Sequence, residues 1–261
     1  MDSREAFNLS FIALVFISSH LLLFDSRPFY KDEALYATTI DEFLESPSVL
    51  PTFNRETFTW KPMLFFYYGA AAYSITGRLG VGLENGYRLA SAIPGFAASI
   101  LLFLVIRRLT KNADLALLSA TIFAAVNATV LADTALLTDS LLAFLVLAGF
   151  YFYIRAKEEF DARKPASFKL FLALAFTTSF LAFLTKTYAA LLLPALAVTY
   201  LFFSERKLLS NRLFLATLAA PLLAAALHIA LFASQGMLSP ILAEYFFNTQ
   251  RAKPFTFDFT S

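Results

Sequence analysis

Two short stretches set charge directly beside long apolar runs: Lys31-Asp32-Glu33 and Trp60-Lys61-Pro62. A carboxylate just beyond the end of a membrane span stays hydrated enough to ionise and close enough to lipid to meet a membrane-embedded substrate. A general base for such a substrate needs that compromise. Asp32 carries a second reading, because aspartate also caps the helix that starts there. Lys61 opens a short aromatic segment beside the single Trp. An ammonium and a helix N-terminus both favour an anion such as a lipid phosphate, while a lysine that merely snorkels at the bilayer edge is the plainer account. Asp139, in Leu137-Thr138-Asp139-Ser140, lies about one turn into an apolar stretch. An acid there is costly and usually faces a cavity or a partner. Asp133, just before it, reads equally well as a solvated loop residue. Lys186, in Leu184-Thr185-Lys186-Thr187, is a second candidate phosphate partner, and it too has the snorkelling alternative.

The rest of the sequence removes other chemistries. Cysteine is absent, so there is no thiol nucleophile, thiolate metal site or disulfide. His20 and His228 sit alone in apolar stretches without ligand spacing, which suits hydrogen-bonded structural histidines better than a metal centre. No Gly-rich phosphate loop and no Ser-His-Asp order is present.

The elements that must position these residues are membrane helices. Hydrophobic residues make up 59% of the 261 positions and charged ones 15%, with mean hydropathy +0.65, beyond what a water-soluble globule of this size hides. The charges interrupt the apolar stretches rather than gathering on one face, which argues against nucleic acid as a partner. About 20 apolar residues cross a bilayer, and seven stretches qualify: 7–24, 89–106, 113–131, 136–154, 168–185, 188–203 and 213–233. The first is too long and too aromatic for a signal-peptide core and is expected to remain as a span. An eighth stretch, 62–77, is only about 24 Å long as a helix. It also carries Phe65, Phe66, Tyr67, Tyr68 and Tyr73, the aromatic load of an interfacial element.

Basic residues in short loops decide the orientation. With 62–77 left out and the N-terminus in the cytoplasm, three basic loops all lie inside. They hold Arg107, Arg108 and Lys111; Arg155, Lys157, Arg163, Lys164 and Lys169; and Arg206, Lys207 and Arg212. Counting 62–77 as a span would place all of them outside. The fold class expected is therefore all-α, a polytopic transmembrane helical bundle of about seven spans. Its external first loop, about 25–88, contains two membrane-lying helices. In the first of these, Leu35, Ile40, Phe43 and Leu44 form the apolar face and Thr38, Asp41, Glu42 and Glu45 the polar one. No internal repeat and no soluble domain is visible, so residues 1–261 read as one membrane module.

Five motifs in order carry a family resemblance. They are Asp32-Glu33-Ala34-Leu35-Tyr36-Ala37; Trp60-Lys61-Pro62-Met63-Leu64-Phe65-Phe66-Tyr67; Tyr87-Arg88-Leu89-Ala90-Ser91-Ala92-Ile93-Pro94-Gly95; Leu137-Thr138-Asp139-Ser140-Leu141-Leu142-Ala143-Phe144; and Leu184-Thr185-Lys186 followed by Leu191-Leu192-Leu193-Pro194. The chain resembles the N-terminal membrane module of the polyprenyl-phosphate-dependent C-type glycosyltransferases, in particular the aminoarabinose transferase and protein O-mannosyltransferase group.

That resemblance implies a multi-pass membrane enzyme. It would move a sugar from a polyprenyl- or dolichyl-phosphate donor to a hydroxyl acceptor at the extracytoplasmic face. It implies Asp32, with Glu33, as the acid that positions or deprotonates the acceptor, and Asp139 as a second acid at the cavity mouth. Lys61 would bind the donor phosphate, supported by Arg88 and Lys186. Trp60 stands where the family often has a glutamate, and Leu35 where an arginine is common, so no cofactor is assigned and a divalent metal has no support from these residues. Relatives run on past this length into further spans and a soluble domain. The rival readings are a transporter or flippase, which tends to place ionisable groups near the midplane and to repeat its halves, and a non-catalytic membrane subunit.

Overall fold

The structure is a computed structural model that describes residues 3–21, 28–79 and 82–247. The end of the first expected span, 22–24, and the start of the expected external loop, 25–27, lie outside the described residues. Helix α1 (Ser3–Leu21) is followed by α2 (Asp32–Glu45). A two-stranded hairpin then pairs β1 (Thr52–Phe53) antiparallel with β2 (Glu56–Thr57). Its turn residues Asn54 and Arg55 both have positive φ, 54° and 65°, the two-residue geometry that matches strand twist. Glu42 of α2 grips the hairpin, accepting from the Thr52 hydroxyl at 2.6 Å and from the Arg55 amide.

Four further helices follow: α3 (Leu64–Thr76), α4 (Leu83–Thr110), α5 (Ala113–Ala125) and α6 (Asn127–Thr134). The long antiparallel pair is α7 (Thr138–Asp161) and α8 (Pro165–Thr185). After a 3-10 turn (Tyr188–Leu191) come α9 (Leu192–Ser204), α10 (Arg212–Leu218), α11 (Ala220–Ser234) and α12 (Leu238–Phe247). The sequence signals the boundaries. Asn112 accepts from the amides of Asp114 and Leu115 to cap α5, and Asn211 does the same for α10. Pro165 occupies the first turn of α8, where its missing N–H costs nothing.

The chain is a polytopic membrane protein with an all-helical transmembrane bundle. Helices α4, α7 and α8 are each long and apolar enough to cross a bilayer. Two of the expected spans are broken: α5 and α6 meet at 57°, and α10 and α11 at 42°. The first break falls at Val126, whose backbone is extended. The second precedes Pro221, which cannot continue a helical hydrogen-bond ladder. If each bent pair is one span, the number among the described residues is five. The remaining two expected spans correspond to α1, which carries Arg4, Glu5 and Asn8 in its first two turns, and to the shorter apolar segment Tyr188–Ser204. Helix α12 was not foreseen from the sequence.

One core binds α2 and α3 to the bundle. Tyr36 and Ile40 of α2, Phe65 and Phe66 of α3, Tyr87 of α4, Leu141 of α7 and Phe183 of α8 pack together. The Tyr36 ring meets Phe65 and Phe66 edge-on at 5.7 and 5.6 Å, a favoured aromatic geometry. Helix α3 is thus packed between α2 and α4, with Phe65 and Phe66 fully buried. A second cluster joins Val146 and Tyr153 of α7, Leu172 of α8, Leu193 and Leu201 of α9, and Phe214 of α10.

The buried face of α2 keeps most of the expected one, with Ile40 buried and Leu35 and Phe43 packed against the core. Glu33, Tyr36, Ala37, Thr39 and Ile40 face inward, while Leu44 is 39% exposed. Glu33 is drawn inward as well, to partners inside the bundle.

Topology has a direct readout, since the chain contains no native cysteine. Ser48, exposed after α2, and Ala166, exposed at the start of α8, are placed on opposite faces by the charge pattern. A cysteine at position 48 should be labelled by an impermeant reagent from outside and one at 166 should not. The reverse pattern would overturn the orientation.

Candidate functional site

The beginnings of α2, α4 and α7 and the end of α8 meet at one end of the bundle, because α7 and α8 are antiparallel and joined by a tight turn. There the structure gathers the acids and cations singled out by sequence. Lys186, which ends α8, donates from Nζ to Asp139 Oδ1 at 2.7 Å. Both remain accessible, with side chains 35% and 49% exposed. Asp32 is exposed in the first turn of α2.

Asp32 and Asp139 converge on Tyr36, whose phenol is pushed above its ordinary value of 10.0, first by burial and then by the charges of these two carboxylates. The capping reading of Asp32 is not what the structure shows. The cap position is Lys31, at φ 46°, and no side chain caps the helix there. Backward capping is done by Glu33, whose Oε2 accepts the Tyr30 amide at 3.2 Å.

Glu33 and Arg88 are placed differently from their neighbours. Arg88 is 0% exposed, and its Nε donates to Glu33 Oε1 at 2.9 Å. The same oxygen accepts the Leu136 amide at 3.1 Å. Burial alone would raise the Glu33 carboxyl, but the Arg88 hydrogen bond, the Leu136 amide, the Arg88 charge and the Tyr30 amide together hold it below 4.5. The pair therefore faces inward and ties α2 and α4 to the segment between α6 and α7. Ser91 of α4 grips the same segment, donating to the Leu137 carbonyl and accepting its amide, both at 3.0 Å. These contacts fix the strand-like link that launches Asp139.

Lys61 lies just before α3, half-buried, and makes no ion pair or hydrogen bond among the described residues. Its neighbours are fixed by packing: Met63 is buried, and Trp60 leans on Phe58 at 5.9 Å. Among the described residues no three His, Cys, Asp or Glu side chains converge into a set able to hold a metal ion.

Asp133 is not a solvated loop residue; it is 1% exposed. Its Oδ1 accepts from the Ser140 hydroxyl at 2.6 Å, and its Oδ2 faces His20 Nε2 at 3.2 Å. His20 Nδ1 lies 2.7 Å from the Phe16 carbonyl. A Cβ on Gly95 would collide with the Asp133 carboxylate, so glycine is what lets α4 approach α6. Sequence reasoning missed this link. A polar residue near the end of one apolar stretch and an acid at the end of another, here His20 and Asp133, was the available signal.

The comparisons with known proteins agree with this architecture. A search of curated protein sequences finds no match. Among solved structures, the crystal structure of ArnT from Cupriavidus metallidurans in the apo state superposes with a TM-score of 0.69 at 22% identity. The match covers 93% of this chain and 43% of that one, so the chain spans less than half the length of that structure, and the likeness is one of fold. The sequence profile of one family matches residues 7–239, nearly the whole chain. The chain belongs to the dolichyl-phosphate-mannose-protein mannosyltransferase family.

Proposed function

We propose that this chain is the membrane module of a glycosyltransferase that moves a sugar from a polyprenyl-phosphate donor to a hydroxyl acceptor at the extracytoplasmic face. The supporting observation is that Asp32 and Asp139 both act electrostatically on Tyr36 while Lys186 pairs with Asp139, at one end of the bundle in a chain of this family. The acceptor oxygen attacks the anomeric carbon, the bond from that carbon to the phosphate oxygen breaks, and Asp32 takes the acceptor's proton. Polyprenyl phosphate leaves with the bonding pair, and Lys61 and Lys186 offset its growing charge. Asp139 holds Lys186 in place at the end of α8. Glu33 and Arg88, being buried against each other, act on this site through the frame they hold. The location of the charged groups at one end also disfavours a transporter, which places them near the midplane.

The test is incubation of the purified protein with polyprenyl-phosphate sugars and measurement of released polyprenyl phosphate. Release that depends on a hydroxyl acceptor is expected, and its absence across donors in folded, full-length protein would overturn the reading. Lys61→Ala should weaken polyprenyl-phosphate binding by about 1.5–3 kcal/mol, the range for a hydrogen bond to a charged group, which is roughly 10- to 150-fold. Lys31→Ala should change it much less. Equal lipid affinity in wild type and Lys61→Ala removes Lys61 from the site.

A further inference from the structure

Nineteen residues separate Arg88 from Arg107 along α4, so the two lie about 28 Å apart at 1.5 Å per residue. At that far end the bundle contains a cavity of about 340 Å³, lined by Glu5 of α1, Leu104, Arg107 and Arg108 of α4, and Lys111. Its walls carry three cations against a single carboxylate. Both guanidinium groups are held in place before any ligand arrives. Arg107 donates to Glu5 at 2.7 Å and stacks at 6.0 Å over Phe103, while Arg108 donates to Glu158 at 2.6 Å and stacks at 5.2 Å over Tyr151.

Each arginine spends part of its five-donor fork on its carboxylate, which leaves N–H groups for a second acceptor. Lys111 stands at the rim in a left-handed conformation, φ 56°, and makes no ion pair among the described residues. Arginine forks fixed by stacking are suited to phosphoryl oxygens. The apolar wall at Leu104 and the outward-facing Phe7 and Leu14 of α1 set the cavity at the edge of a lipid-facing surface.

We propose that this cavity binds a phosphoryl group, carried by an anionic phospholipid or by a soluble phosphate, on the membrane face opposite the Asp32 cluster. Fixed donors lose little conformational freedom on binding. The attraction is electrostatic, so it weakens with salt. The site is independent of sugar transfer, and neither reading requires the other.

The test uses the intact protein in nanodiscs of phosphatidylcholine with and without phosphatidylglycerol. Retained lipid is read by native mass spectrometry, and inorganic phosphate serves as the competing probe. Phosphatidylglycerol should be retained at least tenfold over phosphatidylcholine. Lys111→Gln, which has no ion pair to lose, should reduce that preference several-fold, and the Arg107→Gln, Arg108→Gln double variant should abolish it. Lipid that resists millimolar phosphate assigns the group to a phospholipid. Lipid released by phosphate, or a rise in melting temperature with phosphate alone, assigns it to a soluble phosphate. The proposal is overturned if neither probe binds selectively, or if Lys111→Gln and the double variant both retain phosphatidylglycerol as the wild type does. The double variant is scored only if it remains monodisperse; otherwise Lys111→Gln decides alone.

Discussion

Asp32→Asn should lower the rate of sugar transfer by about 10²–10⁴-fold, the contribution typical of a positioned general base. Asparagine keeps the size and helix-starting quality of the aspartate, and Asp32 bonds no backbone amide at the start of α2. Folding should therefore be unchanged, and so should binding of polyprenyl phosphate, which the proposal assigns to Lys61 and Lys186. The measurement is single-turnover transfer beside lipid affinity and melting temperature for the same preparations. A wild-type transfer rate in Asp32→Asn removes Asp32 as the base and passes the role to Asp139. That residue also acts on Tyr36 through its charge and is itself held by Lys186.

Arg88→Met should destabilise the protein by about 3–5 kcal/mol, because it leaves Glu33 as an uncompensated charge in the interior. The side chains of the pair are 0% and 4% exposed, so solvent does little to soften that cost. Adding Glu33→Gln should recover a large part of it. The charge is gone, and the amide oxygen still accepts from Leu136 at the Oε1 position, while the Tyr30 amide, which bonded Oε2, loses its acceptor. A double variant no more stable than Arg88→Met would show that the arginine acts through something other than this pair.

The pH dependence follows from the depressed Glu33 carboxyl. A folded-state value below 4.5 means that its stabilisation is fully present above about pH 4.5 and is lost as pH falls through the lowered folded value. Wild type should therefore lose melting temperature on the acid side of pH 4.5 more steeply than the double variant does.

The reach of the sequence differed from residue to residue for physical reasons. Long apolar runs fixed helices in place because a span needs length and little else, and α4, α7 and α8 lie where hydropathy placed them. Asp32, Asp139 and Lys186 were legible because a charge at the lip of an apolar helix is conspicuous. Glu33 and Arg88 were singled out too, but their pairing was not, since a 55-residue separation leaves no local trace of which charge meets which. On α2 the apolar pattern found Ile40, but the burial of Glu33 left no local trace for the same reason. Asp133 was obscured by its position at a helix end, where acids usually meet water. Only the bend between α5 and α6 and the absence of a side chain at Gly95 bring it inside.

The contact between His20 and Asp133 sets an order of events during synthesis. The two residues are 113 positions apart, so at about 5–20 residues per second the imidazole is added to the chain roughly 6–23 s before its carboxylate. Over that interval α1 can already close on α4 and α5, through Ile12 against Phe103 and Ala116 and through the Glu5–Arg107 pair, but its buried imidazole still lacks its carboxylate. Of the contacts the first helix makes, the polar link to α6 is thus the last to become available, after its apolar face has found α4 and α5.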